Sequence, residues 1–300
     1  MSSIGFIKTN FAIRFRSPAV VSLILTIALS LSAVALSGSD PLLETGNLAT
    51  NASELTAENI KIVSYNIRWR GGNDLKEIIE QFKSDDKIGK AQILGLQEVD
   101  RNRKRTNNTN TARVMAESLR MHYAWAAPPA PAPKKGIAEE ETGVAILSLY
   151  PMSDIRRIVL PHEGPGGRRR VGLGATIHIG KTSIRVYSVH AETRVSGKKR
   201  LDQFAAIIED LESHKSKVER AVIVGDFNTW QMGAGDLTEK FFTESKFTTP
   251  FDDGTDTWRW IFVRMQLDWM WLRGLQVVGH GVARDIGVSD HWPLWVEVKL

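Results

Sequence analysis

Six short stretches of the 300-residue chain share one pattern: an apolar run delivers an acid, an amide or an imidazole at its carboxyl end or in the loop just after. They carry Asn66, Glu98, His190, Asp226 with Asn228, Asp268, and Asp290 with His291. The run Ala221-Val222-Ile223-Val224 ends in Gly225-Asp226-Phe227-Asn228, so a β-branched segment that reads as a buried strand reaches a glycine that can turn sharply, and an acid and an amide leave the core together. Asp268 differs in lying near the start of its run, between Leu267 and Trp269, where a carboxylate is costly unless paired. Carboxylates and imidazoles so placed can move protons and hold hard cations. Singly, each has a plainer reading. Asn66 fits a turn, Glu98 a solvated strand end, His190 a satisfied histidine, and Asp290-His291 a turn capped through Ser289. The repetition argues against coincidence.

The elements that must position these groups are mostly strands. Strand patterns run over 60–68, 92–99, 142–148, 155–160, 171–179, 183–189 and 221–225, then over the aromatic-rich segments 258–263 and 267–272, and finally 275–282 and 292–298. Helical spacing appears at 75–82, 111–121, 197–214 and 237–242. Residues 126–135 are rich in Pro and Ala, which predicts a stiff, extended surface loop. Many strands with few interspersed helices favour a layered α/β sandwich over a barrel of strict βα units, with the strand ends placing the polar groups on one rim.

Composition narrows the chemistry. The chain has no cysteine, which excludes disulfides, thiolate metal sites and a cysteine nucleophile. Lys8, Arg14 and Arg16 precede an apolar stretch from Ala19 to Leu36, and Ala33-Val34-Ala35 has the small-x-small form that signal peptidase accepts. Residues 1–36 are therefore expected to be a signal peptide or an uncleaved N-terminal membrane anchor, with membrane association through 19–36 in the second case. Either places the rest of the chain outside the cytoplasm, secreted or periplasmic if cleaved and tethered if not. Residues 37–58 read as a polar linker, and the folded domain is expected over 59–300. Residues 1–57 hold three Lys/Arg and three Asp/Glu, so the net charge of +5 lies in residues 58–300.

The ordered set Ser64-Tyr65-Asn66-Ile67-Arg68, Leu96-Gln97-Glu98-Val99-Asp100, Ser188-Val189-His190, Gly225-Asp226-Phe227-Asn228, Leu267-Asp268-Trp269 and Ser289-Asp290-His291 resembles the motifs of the endonuclease/exonuclease/phosphatase superfamily, of which deoxyribonuclease I is a member. The resemblance runs from about Ile60 to Leu300. It implies a four-layer α/β sandwich with two facing mixed β-sheets flanked by helices, and metal-dependent hydrolysis of phosphoesters. It further implies that Glu98 is the central metal ligand, with Asn66 beside it and Asp290 nearby. Asp226 would position or deprotonate water, and Asn228 would orient Asp226. His291, held by Asp268, would bond a phosphoryl oxygen, and His190 would be a second imidazole on the phosphate. Oxygen ligands suit Mg²⁺ best, with Mn²⁺ or Ca²⁺ as alternatives.

The expected activity is that of a phosphodiesterase or nuclease acting outside the cytoplasm, as a monomer. Basic clusters at Arg168-Arg169-Arg170 and Lys198-Lys199-Arg200 favour nucleic acid, although solvated loops explain them equally well. Trp258, Trp260, Ile261 and Phe262 would suit a sphingomyelinase-like lipid phosphodiesterase, yet the preferred expectation for them is core packing beside Asp268. A phosphatase of small phosphoesters and a catalytically silent binding protein of the same fold are the remaining alternatives. Glu140 or Glu141 is expected to orient His190, and His122, His162, His178, His214 and His280 to be structural.

Overall fold

Fourteen strands and four helices follow one another among the described residues as β1 (Leu43–Gly46), β2 (Asn59–Asn66), α1 (Gly72–Ser84), β3 (Ile93–Arg101), α2 (Thr111–Leu119), β4 (His122–Ala126), β5 (Glu141–Ser148), β6 (Met152–Val159), β7 (Val171–Ile179), β8 (Thr182–His190), α3 (Gly197–His214), β9 (Arg220–Asp226), α4 (Ala234–Glu244), β10 (Trp258–Trp260), β11 (Val263–Met265), β12 (Asp268–Arg273), β13 (Gln276–Val282) and β14 (Leu294–Lys299). The structure is a computed structural model that describes residues 40–49, 58–131, 141–214 and 218–300. The segment expected to be a signal or anchor, residues 1–36, and Glu140 lie outside the described residues. Among the described residues no helix is long and apolar enough to cross a membrane.

The strands form a seven-stranded sheet in the order β1-β4-β5-β3-β2-β14-β13, a five-stranded sheet in the order β12-β9-β8-β7-β6, and the separate hairpin β10-β11. Both large sheets are mixed: β2 and β3 run parallel, as do β8 and β9, and the other pairs are antiparallel. Their facing surfaces bury Ile62, Ile93, Ile146, Val186, Val224, Met270 and Val296 in one apolar layer. On the outer side of the seven-stranded sheet, Ile78, Phe82 and Met115 from α1 and α2 pack with Val63, Leu94 and Trp125. On the outer side of the other sheet, Phe204, Ile207 and Phe242 from α3 and α4 pack with Tyr187, Ile223 and Trp271. The result is the expected four-layer sandwich. Helix α1 shows why the layers form: Leu75, Ile78, Ile79 and Phe82 recur at helical spacing and are buried, each worth roughly 1.5–3 kcal/mol as an upper figure.

Three segments depart from the expectations. Residues 43–46, inside the stretch read as linker, form the edge strand β1 and pair with Tyr123–Ala126. Residues 122–126 form a fully buried strand that has no β-branched residue to announce it. Residues 258–263 are not one strand. The chain reverses at Ile261-Phe262, pairing Trp258 with Met265, Arg259 with Arg264 and Trp260 with Val263.

Candidate active site

Asp226 ends the central part of the five-stranded sheet, with His190 as its parallel register partner on β8 and Asp268 as its antiparallel partner on β12. Three chemistry-bearing residues therefore sit abreast on one rim because the strands that carry them are neighbours. Gly225 makes this approach possible. It lies at φ +150, and a Cβ there would fall 1.9 Å from the Val189 carbonyl oxygen. Asn228 then takes φ +53, a left-handed conformation that asparagine tolerates, and turns the chain out of the strand.

The seven-stranded sheet supplies the remaining groups. Strand β3 bulges between Gln97 and Val99, and Glu98 adopts φ +55. Bulges re-aim a side chain, and Glu98 joins the lining of the rim pocket, with its side chain 25% exposed. Asn66 ends β2, and Ser289-Asp290-His291 leads into β14. The Ser289 hydroxyl donates to the Asn66 carbonyl at 2.8 Å, which ties that loop to the end of β2.

Contacts cross from one sheet to the other at the rim. The Asn66 amide Nδ2 donates to Asp226 Oδ2 at 3.0 Å, and its oxygen accepts the Arg68 backbone N–H at 2.9 Å. Asp226 Oδ1 accepts the Asn228 backbone N–H at 3.0 Å, and the Asn228 side chain donates to the Ala191 carbonyl at 3.0 Å. His291 Nδ1 lies 2.7 Å from Asp268 Oδ2, and its Nε2 lies 3.9 Å from Asp226 Oδ2. His190 Nε2 lies 3.5 Å from Asp226 Oδ2 and 3.9 Å from Glu98 Oε1.

The electrostatics split the two histidines. Burial works against a charge on His291, but the Asp268 carboxylate bonded to it, with Asp226 and Asp290 nearby, overrides that and lifts its pKa to about 10. His291 is an imidazolium at neutral pH, donating through Nδ1 to Asp268. His190 is pushed well below its ordinary value of 6.5, first by burial and then by Arg170, His291 and Arg168. Arg170 Nη1 lies 3.2 Å from His190 Nδ1. Guanidinium can only donate, so Nδ1 must accept and the neutral ring carries its proton on Nε2, facing the carboxylates. Burial also raises Asp226, helped by Asp268 and Glu98 and opposed by His291, to about 7.

The cavity at this rim has a volume of about 360 Å³, and Glu98, His190, Asp226, Asn228, Asp290 and His291 all line it. Two overlapping clusters meet at Asp226, Glu98 with His190 and Asp268 with His291, the donor atoms within each lying within 4.8 Å of one another, and with both imidazoles carrying a proton on Nε2 the ligands left for a cation are the carboxylates. Carboxylate oxygens pressed together, one of them raised toward neutrality, are a donor set that suits a hard divalent cation. Asp290 lies outside both groups. Its Oδ2 is held by Arg68 at 3.0 Å and by the Trp258 indole at 3.1 Å. Asp268 Oδ1 is buried without a hydrogen-bond partner among the described residues.

A family model of the endonuclease/exonuclease/phosphatase family matches residues 63–291. The chain belongs to that family. Among solved structures, it resembles an endonuclease/exonuclease/phosphatase from Beutenbergia cavernae at 17% identity and a TM-score of 0.64, covering 81% of this chain and 72% of that one. The catalytic domain of human Nocturnin with bound sulfate is similar at 17% identity and a TM-score of 0.61, covering 86% and 96%. A Bacteroides thetaiotaomicron mannosyl-6-phosphatase is similar at 16% identity and a TM-score of 0.57, covering 80% and 100%. No curated protein sequence matches.

Within this family member, several expectations need correction. Glu141 does not orient His190; it pairs with Arg101 at 2.6 and 2.9 Å. Arg170 takes that place, and it is held in turn by buried Glu192 at 3.3 Å, which also binds Arg168. The sequence sign was present but unread: Arg170 directly precedes Val171, the antiparallel partner of His190, and Glu192 follows His190 by two residues. The basic clusters are partly spent inside the protein, since Arg200 is buried and bonds the carbonyls of Thr193 and Val195 at 3.3 and 3.5 Å. The aromatic stretch is not core: Trp260, Ile261 and Phe262 are 63%, 74% and 96% exposed.

Proposed function

We propose that this chain is a divalent-metal-dependent phosphodiesterase acting outside the cytoplasm. The observation that carries the reading is the convergence of Glu98 and Asp226 from opposite sheets on one cavity, with a neutral and a charged imidazole beside them. Family membership makes the chemistry phosphoester hydrolysis. The extracytoplasmic placement rests on the basic-then-apolar order of residues 8–36.

Glu98, with Asp226 within reach, would hold the cation, and Asn66 and Asp290 stand at the margin of that pair. A bound cation would neutralise charge on the phosphoryl oxygens. The chain's own residues do the rest. Asn66 and Asn228 fix both oxygens of Asp226, so the carboxylate is aimed before substrate arrives and can orient or deprotonate water. His291, kept charged by Asp268, offers Nε2–H to a phosphoryl oxygen. His190 offers a neutral Nε2–H whose tautomer Arg170 sets, suited to a second phosphoryl oxygen or the leaving oxygen.

The test is hydrolysis by the full chain of bis-p-nitrophenyl phosphate, plasmid DNA, sphingomyelin and a sugar phosphate, with Mg²⁺ against EDTA. Turnover that needs the metal and is lost in Asp226→Asn and His291→Gln is expected. Turnover of phosphodiesters that survives EDTA, or both substitutions, would refute the assignment.

A further inference from the structure

The hairpin β10-β11 grows out of the active-site cavity as a ladder of three unlike rungs. At its base, Trp258 and Met265 pair and both line the cavity. On the next rung Arg259 faces Arg264, and above that Trp260 faces Val263. The tip is Ile261-Phe262. Exposure rises along the ladder, from partly buried at Trp258 and Met265 to 96% at Phe262. A two-residue hairpin tip in water ordinarily carries Asn-Gly or a similar pair. Here an isoleucine holds φ +52, a strained conformation for a β-branched residue, and a phenylalanine stands beside it in solvent.

The collar beneath the tip is cationic. Arg259, Arg264 and Arg284 stand over the Trp292 ring at 5.2, 5.8 and 5.9 Å. Among the described residues none of the three has a carboxylate partner. The side chains of Arg259 and Arg284 donate only to the backbone carbonyls of Gly287 and Asp256, each at 3.4 Å. The cavity lining adds a further exposed apolar side chain, Trp230, and Met232, two residues on, is fully exposed.

We propose that this hairpin docks the protein on an anionic lipid bilayer and that the substrate is a phosphoester carried in the headgroup layer of that bilayer. An apolar tip, Ile261-Phe262 flanked by Trp260 and Val263, enters the boundary between headgroups and acyl chains, while arginines one rung back meet lipid phosphates. The dimensions agree. Three residue-to-residue steps take the chain from the cavity rung to the tip, about 10 Å at roughly 3.3 Å per step. A tip buried about 5–10 Å into the interface therefore brings the cavity mouth to the level of the phosphates. Ile261 and Val263 distinguish this surface from one that stacks nucleobases, which needs flat rings rather than branched aliphatics.

The choice of substrate rests on the phosphoesterase reading, but the docking does not, and the two are tested separately. The chain has no cysteine, so Phe262→Cys gives a single attachment point for an environment-sensitive fluorophore in the full-length protein. Vesicles of phosphatidylglycerol and phosphatidylcholine are expected to shift its emission to the blue and shield it from an aqueous quencher, while a label at Glu80→Cys on α1 stays in water. Phe262→Asp is expected to weaken partition of the protein onto those vesicles at least about tenfold, and pure phosphatidylcholine to bind less than the mixture. A label at 262 that stays in water while the chain binds vesicles elsewhere would overturn the proposal. So would shielding by a single-stranded oligonucleotide instead, or by self-association without lipid. Wild-type hydrolysis of bis-p-nitrophenyl phosphate is measured alongside, so that an inactive site and a hairpin that ignores lipid give different results.

Discussion

Asp226→Asn removes a charge from a side chain that is 2% exposed and crowded by Asp268 and Glu98. The folded-state pKa of Asp226 is raised from 3.8 to about 7. Its favourable contribution is therefore complete below pH 3.8 and disappears as pH climbs through about 7. Roughly three pKa units at about 1.4 kcal/mol each make a penalty of about 4 kcal/mol on the metal-free fold at pH 8. Asparagine keeps an oxygen for the Asn228 N–H but loses the bond from Asn66, worth about 1 kcal/mol. The variant should thus be more stable than wild type by about 3 kcal/mol at pH 8 in EDTA and about equal to it at pH 4. Urea unfolding followed by tryptophan fluorescence measures both. Mg²⁺ should stabilise wild type at pH 8 and have little effect on the variant, whose hydrolysis should fall by about a thousandfold or more. A variant no more stable than wild type at pH 8 in EDTA would refute the claim that the site stores unfavourable charge for a cation.

Three further outcomes follow from the same geometry. Arg170→Met should let the His190 proton move to Nδ1, visible in the nitrogen chemical shifts of the ring, lower kcat by about 10–100-fold, and move the acid limb of the rate profile to higher pH because a positive neighbour is lost. Asp268→Asn should drop the His291 pKa from about 10 toward 6.5, so that activity declines above about pH 7 where wild type holds its own, as a pH–rate profile would show. Gly225→Ala should destabilise by about 3 kcal/mol or more in thermal unfolding, since its Cβ would meet the Val189 carbonyl.

The strands that end in Asn66, His190 and Asp226, and the run before the Glu98 bulge, were legible because burial from both faces leaves a continuous β-branched or leucine-rich run, and a polar residue after it stands out. Strand β1 was not legible because Leu43–Gly46 is half polar and gains its strand character only by pairing with β4. Residues 122–126 are hidden for the opposite reason, being buried yet built from His, Tyr, Ala and Trp. The hairpin was misread because strand period and aromatic content say nothing about which side faces water. That is a tertiary fact, set by the way Trp258 pairs across to His291 while residues 260–264 run beyond any neighbouring layer. The role of Arg170 was likewise beyond composition, because it depends on the antiparallel register of β7 with β8.

The contacts from Asn66 to Asp226 and from His291 to Asp268 each join one sheet to the other. Neither sheet alone carries a workable set. The seven-stranded sheet brings Glu98 and His291 without Asp226, and the five-stranded sheet brings Asp226 and His190 without Glu98. The full set therefore exists only where the two layers meet. The site is thus a seam between the two layers: a cation held between Glu98 and Asp226 would tie one sheet to the other, so the geometry of the site depends on how the whole sandwich is closed.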